Sequence, residues 1–514
     1  MLKNIFITIL LICSVSGVWG QKSVKVKVSG NVITTDGVPA EFINIQLKNT
    51  FYGGTSDGKG YFEFMAPAGQ YTMIVQSIAA HRREFPVTIE EGKENHFADI
   101  EIRENINQLE QVVVTGQFSP QSMRNSLYKV RTVNSEQIRQ KAPTSVQSLL
   151  NTEIGIRLSN DMALGETDFE LMGMSGNNVK ILLDGIPLID RGATKQSLSQ
   201  LDVNSIERVE IVEGPMSVVY GTDALAGVIN IITKKGDGYS EENTWRVGAR
   251  VQEESMGKEY DFFKDKGLHN ESIDLGFNHK SGLFVNGGYT RNNHGGWQGD
   301  LTGREKRWHP KDQALMNGMF GFQNRNMNVW YRLDFLDEKI FGPNNGSELQ
   351  PEKVSDKDFL TKRYTHQLQS DWKLDNRLDV HAALSYQDYK RRTRTTESDL
   401  STGEKWLSSA EASQDITQYK AWIARATVAW NIAPEFSVQP GVEYQWTQGE
   451  GGRIDGTPKV SDLAFFLSAE YKPWEWLSLR PGVRTFIVAD YDAPIAIPSV
   501  LTKFKLTKHM DLRL

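Results

Sequence analysis

From Thr244 to the end of the chain, strand-length segments alternate apolar and polar residues with a period of two. In segment 477–484, Leu477, Leu479 and Val483 fall on one face of a strand, and serine and arginine residues fall on the other. The connections between such segments are short and long in turn. A closed antiparallel barrel in a bilayer combines an apolar outer face, a polar inner face, short turns and long loops. The sequence therefore predicts a mainly β chain whose residues 239–514 form part of an antiparallel transmembrane β-barrel.

The composition of the 514-residue chain excludes several classes of protein. Its mean hydropathy of −0.44 and its 10% of aromatic residues suit a β-barrel or a soluble β-rich protein better than a bundle of membrane helices. No apolar run of about 18 residues follows the N-terminal segment, so we expect no transmembrane helix. The net charge of −6 is spread without a basic block, which argues against nucleic acid as a partner.

The polar residues form no pattern typical of an enzyme. The 9 histidines are scattered, and no His-x-x-x-His or Glu-x-x-His pair falls on a plausible helix. We therefore predict no catalytic residue, no metal site, no cofactor and no enzymatic activity.

The first 20 residues have the layout of a secretory signal peptide. Lys3 precedes an apolar stretch at 5–18, and Gly20 supplies a small residue at the predicted cleavage point. A retained N-terminal anchor is the alternative. Cys13, the one cysteine, lies inside this segment, so the mature chain would have no thiol. Disulfides, thiolate metal sites and cysteine nucleophiles are then excluded together.

Residues 21–103 read as a small β-sandwich, because short alternating strands and turn signals follow one another about every 10 residues. A series of spaced residues resembles the carboxypeptidase regulatory-like domain. These residues are Gly30, Gly37-x-Pro39, Thr55-x-Asp57-x-x-Gly60-Tyr61-Phe62 and Gly69-Gln70-Tyr71. Such a domain could be an interaction module or a structural spacer, and the sequence favours neither.

The linker 104–118 contains an apolar segment that favours an extended backbone, Val112-Val113-Val114-Thr115. An extended segment in a linker can pair with the sheet edge of another protein. The alternative is a structural strand, either the last strand of the sandwich or the first strand of the following domain.

Residues 119–238 are predicted to form an α+β domain. A strand at 179–183 runs into the turn pair Asp184-Gly185, and a second strand at 206–213 is closed by Gly214-Pro215. Small residues from 221 to 227 then precede an apolar strand. These segments, from Val179 to Lys235, closely resemble the plug domain of TonB-dependent outer-membrane receptors.

The chain departs from the usual plug pattern at two places. Glu153-Ile154-Gly155-Ile156 stands where the family has Pro-Gly-Val, and Met172-Gly173 stands where it has Arg-Gly. Both changes conserve shape. The stretch Gly214-Pro215-Met216-Ser217 differs from the Asp-Ala-Ser-Ala of glycan importers. The chain therefore looks like the branch of receptors for siderophores, haem and cobalamin.

The resemblance implies a function and a partner. Val112, Val113, Val114, Thr115 and Gly116 would be the TonB box, which pairs with TonB and its inner-membrane energising complex. The chain would lie in the bilayer of the outer membrane with its N-terminal domains in the periplasm. It would take up a metal chelate, a ferric siderophore before haem or cobalamin. Two alternatives are a receptor for signalling or adhesion without transport, and a secreted enzyme with an accessory sandwich.

Long polar loops are predicted at 256–270, 292–312, 337–363 and 389–413, which would be extracellular. Aromatic and histidine side chains in the second loop and residues at the plug apex are candidates for contact with the ligand. They are His294, Trp297, Trp308, His309, Met174, Ser175, Gly176, Asn177 and Arg191. The alternative for the loop residues is that they only pack against one another.

The number of strands predicts a shortened protein. Plugged transporters have about 22 strands, whereas about 12 complete strands fit between residue 239 and the end of this chain. The last residues, 511–514, look like the start of another strand. We therefore expect a truncated chain, and the haem-receptor signature would lie beyond Leu514.

Overall fold

The computed structural model describes residues 25–34, 39–77, 80–93, 95–102, 112–118, 121–123, 126–160, 167–190, 195–221, 223–236, 242–375, 377–451, 454–488, 494–507 and 510–514. The predicted signal peptide with Cys13, most of the predicted linker, and Arg191 lie outside the described residues. The chain divides into two compact units, Met1–Val112 and Val113–Leu514.

The first unit is a two-sheet β-structure, as the turn spacing predicted. Its strands are β1 Lys25–Thr34, β2 Asn44–Leu47, β3 Gly53–Thr55, β4 Tyr61–Pro67, β5 Gly69–Ser77, β6 Ala80–Ile89 and β7 Asn95–Ile102. One sheet has the order β4-β1-β7, and the other has the order β3-β2-β5-β6. Val28 and Phe62 of the first sheet and Ile45 and Met73 of the second belong to one buried cluster. The two sheets therefore share a single core.

The second unit begins with a small α+β plug. Its helices are α1 Ser135–Lys141, α2 Val146–Leu150 and α3 Ser217–Tyr220. Its strands are β8 Val112–Val113, β9 Gln121–Ser122, β10 Lys129–Asn134, β11 Ile156–Asn160, β12 Thr167–Leu171, β13 Met174–Ser175, β14 Val179–Leu183, β15 Ile186–Pro187, β16 Ile206–Glu213 and β17 Gly227–Thr233. The main sheet has the order β10-β16-β17-β14-β15, with β11-β12-β13 and β8-β9 as smaller sheets.

Local sequence explains the elements of the plug. Asn134 and Ser145 each close a capping box at the start of a helix, which satisfies backbone N–H groups that have no partner inside the helix. The turn between β14 and β15 places Asp184 at φ 49° and Gly185 at φ 85°, the left-handed region that an Asp-Gly pair tolerates. The strands expected at 179–183, at 206–213 and after residue 227 are confirmed.

The rest of the second unit is one large antiparallel sheet. Its strands are β18 Thr244–Glu254, β19 Leu268–Asn278, β20 Leu283–His294, β21 Lys311–Gln323, β22 Met327–Gly342, β23 Lys353–Lys373, β24 Leu378–Asp399, β25 Lys405–Leu407, β26 Ile416–Ala433, β27 Phe436–Glu450, β28 Lys459–Trp474, β29 Leu477–Val488, β30 Ile497–Thr507 and β31 Met510–Arg513. Neighbours in sequence pair along the path from β18 to β31, and β25 pairs only with β24. This barrel-like sheet confirms the predicted fold class.

One face of the large sheet packs against the plug, and its buried residues are polar. On β23 the side chains of Gln367 and Gln369 are buried, whereas Leu368 between them is 46% exposed. The amide of Gln367 donates to the carbonyl of Leu183, and that of Gln369 donates to the carbonyl of Asp184. The inner face is polar because its side chains bind the backbone of the plug.

Two of the predicted loops are much shorter than expected. Strand β22 continues to Gly342 and β23 begins at Lys353, so most of the predicted loop 337–363 is strand. Strand β24 likewise continues to Asp399, inside the predicted loop 389–413. The prediction was wrong there because charged residues pair across the strands, as Lys362 does with Asp337 at 3.5 Å. Charged runs of this kind look like solvated loops in a sequence.

The predicted loops 256–270 and 292–312 correspond to connections at 255–267 and 295–310. Among the described residues, no helix has the length and apolarity required to cross a membrane.

Candidate functional site

The first candidate site is the segment that joins the N-terminal unit to the plug, which we call the docked segment (residues 113–117). Its side chains alternate in burial: Val113 and Thr115 are 0% and 1% exposed, whereas Val114 is 36% exposed. Val113 belongs to a buried cluster of the plug that includes Tyr128 and Met216. The segment therefore begins in the short strand β8 and continues as a turn, in which the Gln117 N–H donates to the Val114 carbonyl at 3.2 Å. The extended backbone that the valines predicted is present at Val112 and Val113, and one side of the segment is packed against the plug.

A buried carboxylate of the plug holds this segment. Glu210 lies on β16 and is fully buried. Its Oε2 accepts hydrogen bonds from the backbone N–H groups of Val114 at 3.1 Å and Thr115 at 2.8 Å. The Thr115 hydroxyl donates to the same oxygen at 2.6 Å, and Arg208 donates to Oε1 at 2.9 Å. A charged acceptor strengthens these hydrogen bonds relative to those of a neutral group.

Asn230 on β17 extends the network. Its Nδ2 donates to Oγ1 of Thr115 at 2.9 Å, and its Oδ1 accepts from the backbone N–H of Gly185 at 2.9 Å. The Thr115 hydroxyl therefore donates to one plug strand and accepts from the next. Glu210 and Asn230 are also cross-strand neighbours in the register of β16 and β17. The hydrogen bonds thus join the docked segment to the centre of the plug sheet.

The large sheet holds the same segment at a second point. Arg480 on β29 donates from its guanidinium to the carbonyl of Gly116. The guanidinium also pairs with Glu470 at 2.6 Å and lies 4.4 Å from the centre of the Phe118 ring. Gly116 has φ 70°, and a Cβ there would lie 2.3 Å from Cε of Met216. Glycine is needed at this position both for its conformation and for the space.

The docked segment contains most of the residues predicted to pair with a partner protein. Val112 is described by its backbone, and Val113, Val114, Thr115 and Gly116 lie in the segment. The backbone N–H groups of Val114 and Thr115 already donate to Glu210. A partner strand that needs these groups can form its hydrogen bonds only after they leave the carboxylate.

Sequence reasoning missed Glu210, Asn230 and Arg480. A signal for Glu210 was available, because its carboxylate is flanked by the apolar residues Val209 and Ile211. A charge at such a position is buried only with a partner. No pattern in the sequence points to the partner, which lies 95 residues away in the chain.

The second candidate site is the loop-end cluster, which comprises His294 at the end of β20 and Trp297, Trp308 and His309 in the connection to β21. The rings of His294 and Trp308 stack with centroids 3.9 Å apart. Backbone hydrogen bonds join Trp297 and Trp308 in both directions, at 2.8 and 3.0 Å. His309 lies beside Gly342, where a Cβ would come within 3.0 Å of the imidazole. The structure thus brings the predicted loop residues together, and packing between rings accounts for the stacked pair.

His294 has a polar side-chain atom without a hydrogen-bond partner. Its side chain is buried, and its Nδ1 accepts from the backbone N–H of Gly296 at 3.0 Å. An imidazole that accepts at Nδ1 carries its hydrogen on Nε2. In the described structure this Nε2 has no hydrogen-bond partner.

The predicted plug-apex residues lie around β13. Met174, Ser175 and Asn177 are exposed, and Gly176 is buried at the start of a 3-10 turn. Within the described residues, no hydrogen bond or ring contact joins them to His294 or Trp308. Other plug residues approach the loop end of the sheet instead. Gln196 contacts Tyr389 at 3.1 Å, Gln200 contacts Glu338 at 3.0 Å, and Ile189 contacts Gln387 at 2.9 Å.

In the part of the chain that the structure describes, no group of three histidine, cysteine, aspartate or glutamate residues is arranged to hold a metal ion.

A mixed α+β plug against the polar face of a long antiparallel sheet is the architecture of plugged barrel receptors. Two family models match the chain. The TonB-dependent Receptor Plug Domain matches residues 122–228, and the CarboxypepD_reg-like domain matches residues 28–114. The match shows that residues 122–228 are a plug domain of the TonB-dependent receptor type, and the large antiparallel sheet beside it agrees with the fold of such receptors.

Individual relatives agree with this family. The chain is 32% identical over 139 residues to the vitamin B12 transporter BtuB of Vibrio vulnificus (strain CMCP6), which covers 27% of this chain and 23% of the relative. A structure of a mutant ferric enterobactin receptor (PfeA) from Pseudomonas aeruginosa matches with a TM-score of 0.56 at 16% identity, over 75% of this chain and 60% of that one. The copper transporter OprC matches with a TM-score of 0.54 at 14% identity, over 74% and 61%. The two structures show similarity of fold alone.

Proposed function

We propose that the protein takes up a metal chelate across the outer membrane by a TonB-dependent mechanism. The observation that carries the proposal is the docked segment, which begins in the short strand Val112–Val113 just ahead of the matched plug domain and is held by that domain's buried Glu210. The named relatives carry vitamin B12, bind ferric enterobactin or transport copper. For this chain we place a ferric siderophore first, and haem or cobalamin next.

In this mechanism the docked segment is the TonB box. Its hydrogen bonds to Glu210 and Asn230 keep Val114 and Thr115 on the plug while no ligand is bound. Binding of the ligand frees the segment. TonB, driven by its inner-membrane complex, then pairs with residues 112–116 and pulls the plug to open a path. Pairing of this kind is β-strand addition, in which backbone hydrogen bonds supply the affinity.

The ligand would arrive at the loop end of the large sheet. We propose that it contacts His294, Trp297, Trp308 and His309 and the plug residues 174–177, with Arg191 as a further candidate. Gln196 and Gln200 of the plug, which contact Tyr389 and Glu338 of the large sheet, would transmit ligand binding to the rest of the plug. Apolar side chains on the face opposite the plug would contact the lipid, with the N-terminal domains in the periplasm.

The test is deletion of residues 110–116 in the full chain. We expect uptake of the chelate to be lost while binding at the cell surface is retained, because the ligand contacts lie elsewhere. Val114→Pro should act like the deletion, since proline removes the N–H group that pairs with a partner strand. Val114→Ala keeps that group and is the matched control, for which we expect normal uptake. Unchanged uptake after the deletion would refute the proposal and favour a receptor that binds without transporting.

A further inference from the structure

An open cleft lies beside the loop-end cluster, between one end of β20, β21 and β22 and two connections, the one between β18 and β19 and the one between β20 and β21. Its volume is about 470 Å³. Six basic side chains line it, whereas Asp265 and Asp312 are the acidic ones. The basic residues are Lys264, Lys266, Arg291, Lys306, Lys311 and Lys339. We call it the loop-end cleft.

Half of this positive charge is compensated by ion pairs. Arg291 lies 3.7 Å from Asp312, Lys311 lies 4.0 Å from Glu338, and Lys339 lies 3.2 Å from Asp358. The other half is not compensated: Lys264, Lys266 and Lys306 have no ion pair in the described structure. Three unpaired ammonium groups around one concave surface raise the local concentration of anions.

The cleft also contains a buried donor that no protein atom satisfies. His294 lines it and is 5% exposed, and its Nε2 carries a hydrogen without an acceptor. A buried polar group without a partner costs free energy, so such a group calls for a partner, either a water molecule or an oxygen of a ligand. The partner that fits an N–H group among lysines is an oxygen with negative charge. Phe263 and Phe341 line the same cleft and can pack against an apolar part of a ligand.

From these observations we propose that the loop-end cleft binds oxyanions, the carboxylate or phosphate groups of a ligand. The unpaired lysines supply the charge, and His294, which lines the cleft and has a buried Nε2 donor, is the candidate for a directed hydrogen bond. Anion binding follows from the geometry of the cleft alone. Its use in capturing the transported compound rests on the proposed function, and it would make that compound an anionic chelate.

The experiment uses the full chain purified in neutral detergent, with inorganic pyrophosphate as the probe and isothermal titration calorimetry as the measurement. We expect binding that weakens as salt is added, because screening reduces the attraction between exposed charges. The triple variant Lys264→Gln, Lys266→Gln, Lys306→Gln should weaken it on the order of tenfold. His294→Phe keeps a ring to stack on Trp308 but removes the donor, and it should weaken binding as well.

The matched control is the triple variant Lys390→Gln, Lys405→Gln, Lys459→Gln, which removes exposed lysines away from the cleft. We expect it to bind pyrophosphate like the unchanged protein. The same titration with vesicles of phosphatidylglycerol, against phosphatidylcholine, tells whether a lipid phosphate or a soluble oxyanion is the better ligand. Absence of salt-sensitive pyrophosphate binding, or equal weakening in both triple variants, would overturn the inference.

The outcomes separate this inference from the proposed function. If the Lys264, Lys266 and Lys306 variant loses pyrophosphate binding but transports the chelate normally, the cleft is an anion site without a role in uptake. If pyrophosphate does not bind but deletion of residues 110–116 still abolishes uptake, the cleft inference fails and the proposed function stands.

Discussion

The docked segment and the loop-end cleft differ in how their polar groups are satisfied. In the docked segment, the backbone N–H groups of Val114 and Thr115 and the Thr115 hydroxyl all bind Glu210. In the cleft, Nε2 of His294 and three lysines have no partner in the described structure. One region is complete within the chain, and the other is complete only with something added.

This difference suggests how each region would work. A satisfied region changes state by breaking hydrogen bonds, so its function needs a competitor or a pulling force. An unsatisfied region gains free energy when a ligand supplies the missing acceptor. On this view the segment is the part that moves and the cleft is the part that binds.

The largest expected effect is at Glu210. Glu210→Ala leaves two backbone N–H groups and a hydroxyl without their acceptor, which should cost about 2–4 kcal/mol of local stability. Hydrogen exchange at the amides of Val114 and Thr115 would measure it as lost protection. Glu207→Gln, on the same strand but exposed, is the control and should change the exchange little. If the amides of Val114 and Thr115 are as well protected in Glu210→Ala as in the unchanged protein, Glu210 does not hold the docked segment.

A smaller effect is expected at Thr115. Thr115→Val keeps the shape but removes the hydroxyl that bridges Glu210 and Asn230, which should cost about 1–2 kcal/mol. Thr115→Ser restores the hydroxyl and should recover most of the loss. Denaturant unfolding of the two variants measures the difference. If the serine variant is as unstable as the valine variant, the methyl group and not the hydrogen bonds holds the segment.

Asp202 is a second buried carboxyl group whose hydrogen bonds are satisfied, and its contribution to stability should depend on pH. Asp202 accepts hydrogen bonds from Thr290 at 2.9 Å and Asn317 at 3.1 Å, and burial raises its pKa above the ordinary value. Because the folded pKa is the higher one, its stabilising contribution is complete below about pH 3.9 and is lost as the pH rises through the raised pKa. Asp202→Asn should therefore flatten stability against pH in that window. The free energy of unfolding, measured across this pH window, tests the prediction. If its slope against pH is the same in Asp202→Asn as in the unchanged protein, the prediction is wrong.

The smallest effect is expected in the cleft. Replacing Lys264, Lys266 and Lys306 with glutamine removes no ion pair, so the free energy of unfolding should change by less than about 0.5 kcal/mol for each. Because the substitutions also remove the repulsion between the three ammonium groups, we expect any change to be slightly stabilising. Thermal unfolding tests this, and a large loss of stability would mean that the lysines are structural.

Much of the fold could be predicted because its signals are local. The Asp184-Gly185 turn and the strand at 206–213 follow from turn chemistry and from the spacing of apolar residues. The alternation in 477–484 predicts β29 in the same way. The lengths of β22 to β24 could not be predicted, because charged residues such as Asp337 and Lys362 become partners only when the strands pair in the sheet.

The candidate sites divide in the same manner. The valine segment and the residues His294 and Trp308 could be singled out from the sequence, because residue type and spacing are enough to recognise them. The sequence did not indicate that Thr115 is buried against Glu210 or that His294 keeps a donor without an acceptor.

The sequence by itself determined the class of protein, the order of its parts and the period of its strands, because these depend on residues close together in the chain. Tertiary structure alone decided which polar groups are satisfied. Burial removes water as a hydrogen-bond partner, and whether a replacement is present depends on residues that folding brings from far along the chain. For Thr115 the replacement is Glu210, and for His294 it is absent from the described residues.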